Sequence, residues 1–296
     1  MTGRPGRAKR LSDGMRRRPL RRFGVAVLLS LAGLTVFGAT RPARHDRDWV
    51  AHLSRTPEIA LDEDGFSVSP IRDWSYEDGV ASENWRENPE RFAFGALRRV
   101  WFVVEPHPGL GAMAHTLVLF EFPDQQLIGL TIEARRETDE GYSPFWGNWG
   151  RYELLYVWAS AKDLLTRRAV LLDHEIQIYR LDLTPAQADA FLRRVVDRTR
   201  QIADKPRLYN TLFSNCTNEL AKAAALDWGP AFIVTGGAAR ELHRMGVVAP
   251  SAAPFEAVRG AAVMTERIRD MNPAPSRAFD ARLLNALRDR RGDGGR

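Results

Sequence analysis

The chain has 296 residues, a single cysteine and a net charge of +6. One cysteine excludes an intrachain disulfide and a multi-cysteine zinc site. The first 22 residues hold nine Arg or Lys against one Asp, so the basic excess belongs to that tail. The remaining body is slightly acidic and does not interleave basic and aromatic residues, which argues against a nucleic-acid partner.

Residues 1–22 read as a cytoplasmic basic tail. Phe23–Ala39 is uncharged and 17 residues long, the length of a signal core or a minimal membrane span. The cationic flank should stay in the cytoplasm and send the rest outward. Phe37 stands where a cleavage signal wants a small residue. The expectation is therefore an uncleaved transmembrane signal anchor over residues 23–40, in the bacterial inner membrane, with the C-terminal part in the periplasm. Residues 41–60, polar with scattered prolines, read as a tether. A single domain over 61–249 follows.

Residues 61–95 are rich in Asp, Glu, Ser and Trp with little periodicity, so regular structure is expected to begin near Arg98. Val100–Glu105 and His115–Phe122 are apolar runs rich in β-branched and aromatic residues, separated by the turn signal Pro106-His107-Pro108-Gly109. Leu127–Arg135 forms a third strand, hairpinned to the second through Gln125-Gln126. Residues 141–158 concentrate aromatics, which suits core packing, an apolar groove or a membrane-facing rim. Strands are expected over Glu153–Trp158 and Glu175–Leu183, with a short helix over 162–168 between them. Thr184-Pro185-Ala186-Gln187 combines an N-cap, Pro at the first helical position and a capping-box Gln. Apolar residues at Ala188, Phe191, Leu192, Val195, Val196 and Ile202 then mark one face of a helix that Pro206 stops. A helix begins at Cys216 and another short one covers 236–246. Residues 250–296, rich in Pro and Ala and then in mixed charges, read as a largely disordered tail. The fold class is α+β.

Cys216 lies where a polar turn, Ser214-Asn215, meets the start of an Ala-rich helix. Unpaired N–H groups and partial positive charge there favour a thiolate, a nucleophile. A buried small hydrophobe is the competing reading. A thiolate nucleophile needs a base. Among six histidines, His45 and His52 fall in the tether, His107 between prolines, His174 on a strand with Ile176 and Ile178, and His243 on a late helix. His115 opens the most hydrophobic strand behind small residues, where a polar residue either projects into a cleft as a base or serves a purely structural role. Glu133 shares a strand face with Thr131 and Arg135. It either orients His115 as a carboxylate–imidazole pair or pairs with Arg135 or Arg136. Backbone N–H groups near Cys216 would meet an oxyanion, with Tyr209, Asn215 and Thr217 as oxyanion or positioning residues. Walker, G-x-S-x-G, H-E-x-x-H and dinucleotide motifs do not occur, so neither metal nor cofactor is expected.

Four segments carry a resemblance. They are Ala114-His115-Thr116 with Phe120-Glu121-Phe122, Ile132–Glu137, Arg151–Val157, and Tyr209–Leu212 with Asn215-Cys216-Thr217. In order and spacing they resemble the periplasmic domain family of Lnb, a bacterial lipoprotein N-terminal transacylase, over roughly residues 48–248. Ser214 departs from the pattern, which has a second Asn there, and in Lnb the membrane region follows the domain. The resemblance implies a permuted papain-like, NlpC-like antiparallel sheet in which the His strand precedes the Cys helix. It implies that Cys216 takes an acyl group from a lipid with His115 as base, and that Arg135 and Arg136 serve substrate or structure. The expected function is a membrane-anchored periplasmic thiol acyltransferase or hydrolase acting on a lipid or lipoprotein. The alternatives are a cell-wall peptide amidase of the same broad fold and a non-catalytic lipid-binding envelope protein.

Overall fold

The computed structural model describes residues 22–36, 40–109, 111–226 and 229–290. In chain order these form helix α1 (22–36) and strands β1 (Glu58–Leu61), β2 (Gly65–Ser69), β3 (Ile71–Arg72), β4 (Ser75–Glu77), β5 (Val80–Ser82), β6 (Trp85–Arg86) and β7 (Glu90–Ala93). Then follow β8 (Arg99–Pro106), β9 (Ala114–Glu121), β10 (Leu127–Arg135), β11 (Glu153–Ala159), α2 (Ala161–Thr166), β12 (Gln177–Leu181) and α3 (Pro185–Asp204). The chain continues through α4 (Cys216–Ala223), α5 (Ala238–Arg244), β13 (Val248–Ala249), α6 (Phe255–Ala262), α7 (Thr265–Met271) and α8 (Ser276–Asp289). The class is mixed α+β.

The main sheet runs in the order β13-β12-β8-β9-β10-β11-β3-β6. Its centre, β8 to β11, is an antiparallel meander. The expected all-antiparallel sheet is corrected at one edge, where β3 joins β11 in parallel. That join is secured by a buried ion pair: Arg72 Nη2 lies 2.7 Å from Asp163 Oδ1 at the start of α2. β1, β2 and β7 form a smaller antiparallel sheet.

The central strands are apolar on both faces because both faces are covered. On one face Phe102, Val118, Phe120, Leu130 and Trp158 meet Phe191, Leu192 and Val195 of α3 and Leu220 of α4. The amphipathic stripe and capping box of α3 are those of the sequence pattern, with Thr184 accepting from the Gln187 N–H. On the other face Val103, Leu117 and Leu119 meet Leu164 and Leu165 of α2, Ile268 and Met271 of α7, and Phe279 and Leu283 of α8. Gly129 permits the close approach of α2, since a Cβ there would sit 2.3 Å from Leu164 Cδ1.

This second layer corrects the expected disordered tail. Residues 255–289 form three helices, and Phe279, Leu283, Leu284 and Leu287 of α8 are buried. The physical reason is the two-sided hydrophobicity of the strands, which leaves an apolar face that the C-terminal helices cover. Two other expectations change. Strand structure after α1 begins at Glu58 rather than near Arg98, in short strands whose periodicity is too brief to read. Residues 41–60 are not a loose tether. Trp49 and Leu53 are buried, Arg135 on β10 donates to the Leu53 and Ser54 carbonyls, and the Arg135 guanidinium stacks on Trp49. The span expected over 23–40 contains α1, whose residues are nearly all exposed. No described helix is long and apolar enough to cross a membrane. The basic tail lies, apart from Arg22, outside the described residues.

Candidate functional site: a thiol at the parting of two strands

β9 and β10 pair from Glu121↔Leu127 to Leu117↔Thr131, and the pairing ends there. Each strand continues on its other neighbour, β9 along β8 as far as Ala114 and β10 along β11 as far as Arg135. Extending the broken register would set His115 opposite Glu133, as a cross-strand pair on one face. The structure places them so, with His115 Nε2 3.3 Å from Glu133 Oε1. The parting frees the Thr116 N–H from ladder bonding, and the Cys216 sulfur accepts it. The N-terminus of α4 therefore enters the sheet where two strands separate.

Thr131 fixes the imidazole. Its hydroxyl donates to Glu133 Oε1 at 2.7 Å, so it must accept the 2.7 Å bond from His115 Nε2. Nε2 thus carries a proton, and Nδ1 is the nitrogen left for the thiol. Arg168, on the turn after α2, donates to Glu133 at 3.2 Å and to Glu105 at 2.7 Å. Glu105 in turn pairs with His174, which precedes β12 rather than sitting on it as a core residue.

The charges of the group depend on one another. Burial opposes ionisation of Cys216. The contact with His115 and the Thr116 N–H and hydroxyl outweigh it and lower the thiol from 9.0 to about 7. Burial likewise disfavours a charged His115, but Glu133 and the thiolate raise it from 6.5 to about 10. Glu133 is held well below the ordinary carboxylate range, against its burial, by His115, Arg168 and Thr131. Between about pH 7 and 10 the group therefore exists as thiolate, imidazolium and carboxylate.

Asn215 is the N-cap of α4: its side-chain oxygen accepts from the Asn218 N–H at 2.8 Å. Its amide nitrogen donates to the Thr211 and Phe232 carbonyls, which uses both hydrogens and removes it as an oxyanion donor. Tyr209 does line the cleft above Cys216. Burial and the nearby thiolate raise its phenol pKa well above 10, so it remains a donor. Thr217 turns the other way: its hydroxyl is 2.9 Å from that of Thr116 and 3.8 Å from the sulfur, beside an adjoining apolar cavity. Arg136 lines the cleft, whereas Arg135 is spent on the N-terminal segment. The alternative pairing of Glu133 with Arg135 or Arg136 is not formed; its cation is Arg168.

Several residues at the site escape sequence reasoning. Arg168 sits in a charged stretch that looks solvated, yet it is 3% exposed. His52, assigned to the tether, lines the cleft together with Arg167. Burial and the guanidiniums of Arg167 and Arg72 push its pKa down to about 3, so it is neutral at physiological pH. Thr235 ties the far wall to the His strand by donating to the Ala114 carbonyl and accepting its N–H. No local signal in the sequence marks these, because each is brought in from a separate element.

A family model described as the Lnb N-terminal periplasmic domain matches residues 82–238. The match spans β8 to α4, and with them His115, Glu133 and Cys216. Comparison with curated proteins and with solved structures finds no match. The family match covers just over half of the chain; the protein belongs to the Lnb N-terminal periplasmic domain family, and its matched region is a periplasmic domain of that kind.

Proposed function

We propose that this protein is a membrane-anchored periplasmic thiol acyltransferase or hydrolase acting on lipid-linked acyl groups, with lipoprotein N-terminal transacylation as the reaction its family suggests. The observation that carries the proposal is the lowered Cys216 thiol beside His115, itself held by Glu133 at 3.3 Å. A permuted papain-like arrangement, His strand before Cys helix, is consistent with this order. The apolar residues 23–39 behind a basic tail support an anchor in the inner membrane.

The reaction divides into two acyl transfers. The Cys216 thiolate attacks the carbonyl of an acyl ester, and the oxyanion is met by N–H groups at the start of α4, with the Tyr209 phenol within reach of the cleft. His115 gives its proton to the leaving alkoxide as the carbon–oxygen bond breaks, which leaves a thioester on Cys216 and a neutral imidazole. The acceptor, an amine or water, attacks the thioester while His115 takes its proton. Sulfur departs as thiolate and the pair is restored. Glu133 and Thr131 hold the ring throughout.

One observation favours a second reading. The cleft is lined by Arg136 and Arg167 as well as the buried Arg168, cations that would suit the carboxylates of a wall peptide and an amidase reaction. The deciding experiment incubates the protein with membranes and analyses the Cys216 peptide by mass spectrometry before and after hydroxylamine. A hydroxylamine-labile fatty acyl adduct, lost in Cys216→Ser and His115→Ala, is expected. Cleavage of wall-peptide amides without an acyl adduct would install the amidase reading. Lipid binding with neither reaction would leave a binding module.

A further inference from the structure

Five large apolar side chains stand exposed beside the cleft: Tyr142 (41%), Phe145 (53%), Trp146 (42%), Leu212 (39%) and Phe213 (60%). They belong to two loops, 142–149 and 209–213, that are stitched into one platform. The Thr211 hydroxyl donates to the Pro144 carbonyl at 2.7 Å, and the Asn210 amide donates to the Asn148 carbonyl at 3.3 Å. Gly147 allows the contact, since a Cβ there would lie 2.4 Å from Thr211 Oγ1. The exposed rings are thus presented by a fixed surface. Elsewhere, residues such as Val80, Met245 and Val263 stand singly on separate segments.

Three features identify what covers this platform. It is continuous with the apolar N-terminal helix, because Leu34 of α1 shares a small cavity with Trp146 and Trp149. Cations border it: Arg151 lines that same cavity, and Lys222 Nζ donates to the Phe213 carbonyl at 2.7 Å. Both are more than one-third exposed, while pairing with Glu140 and Glu219 respectively. Tyr142, Tyr209 and Thr211 of the same loops line the Cys216 cleft. Exposed aromatic side chains flanked by partly exposed Arg and Lys are the composition of a bilayer interface.

We infer that loops 142–149 and 209–213 form a docking face for the phospholipid bilayer, seating the mouth of the Cys216 cleft among the headgroups. The platform then lies against the surface that α1 enters, and a lipid-borne ester reaches the thiol without leaving the interface. The inference rests on the anchored part of the reading above and not on the reaction at Cys216.

The single native cysteine makes the test clean. In the full-length Cys216→Ser protein, one cysteine at a time is introduced by Leu29→Cys, Val80→Cys, Trp146→Cys or Phe213→Cys and labelled with a nitroxide. Each protein is reconstituted into phosphatidylethanolamine–phosphatidylglycerol vesicles, with unchanged circular dichroism as the control for folding. Collision with oxygen, which partitions into lipid, is compared with collision with a water-soluble nickel chelate. The oxygen-to-nickel ratio at 146 and 213 should exceed that at 80 severalfold and fall below that at 29. Nickel access at 146 and 213 equal to that at 80, with 29 still in lipid, would overturn the docking face and leave the anchor standing. Shielding of 146 and 213 from both reagents would assign the face to a protein contact and also overturn it. Nickel access at 29 would overturn anchor and docking together.

Discussion

The Cys216 thiol has a pKa of about 7, so about half of it is ionised at neutral pH. An ordinary thiol near 8.5 is ionised by only a few per cent there. Alkylation by iodoacetamide at pH 7 should therefore run roughly tenfold faster than that of a free thiol. The rate should fall as pH drops through 7 and show a second inflection near 10, where His115 loses its proton. His115→Ala removes the favourable partner and leaves the burial, so the thiol pKa should rise and the rate at pH 7 should drop below that of free cysteine. Glu133→Gln keeps the shape but not the charge. Turnover should fall by about two orders of magnitude or more while the thermal midpoint moves little, measured by single-turnover acyl transfer beside a melting curve. The sequence made Cys216, His115 and Glu133 legible because each sits at a local marker: a helix start, a strand mouth, a polar face of a strand. Arg168 and His52 were not legible. The charged partners that set their chemistry lie 20 or more residues away in the chain.

At the scale of elements, the helix that carries the thiol depends on its cap. Asn215→Ala removes the bond to the Asn218 N–H and both donations to Thr211 and Phe232. It should cost about 1–3 kcal/mol in urea unfolding, above the usual cap value because buried carbonyls are left unpaired. The strands β8 to β10, the capping box of α3 and the start of α4 were readable from patterning and turn chemistry. The helices of residues 255–289 were not, since mixed charge and Pro hide a short apolar stripe that matters only once a sheet face is waiting for it. Phe279→Ala tests that role. A fully buried ring lost from this layer should destabilise the fold by about 3–5 kcal/mol, read as a lowered urea midpoint. A tail that merely trails from the domain would show no shift.

For the whole molecule, the sheet with helices on both faces gives the site a rigid back, while its front is built from pieces far apart in sequence. Residues 41–56 are fixed to β10 by Arg135, and Arg41 and Arg47 pair with Glu137. The segment that follows the expected anchor is therefore held against the strand that carries Glu133 of the candidate site. The corresponding prediction concerns sidedness. An alkaline phosphatase fused after residue 290, so that the whole folded domain is retained, should be active in a bacterial host, whereas a cytoplasm-only reporter at the same point should be silent. The alternation of apolar and polar stretches conveyed the α+β class. It could not convey that β3 joins β11 in parallel, because two-residue strands leave no period to read.

The solitary cysteine has a further consequence, for oxidative chemistry. In an oxidising compartment thiols are normally guarded by conversion to disulfides. Cys216 has no second cysteine in its own chain to resolve it. A peroxide that reaches the sulfur leaves a sulfenic acid that an external thiol must reduce, and further oxidation to the sulfinic level is irreversible. Its 5% exposure is then a safeguard as well as an electrostatic setting, because access is restricted to what the cleft admits.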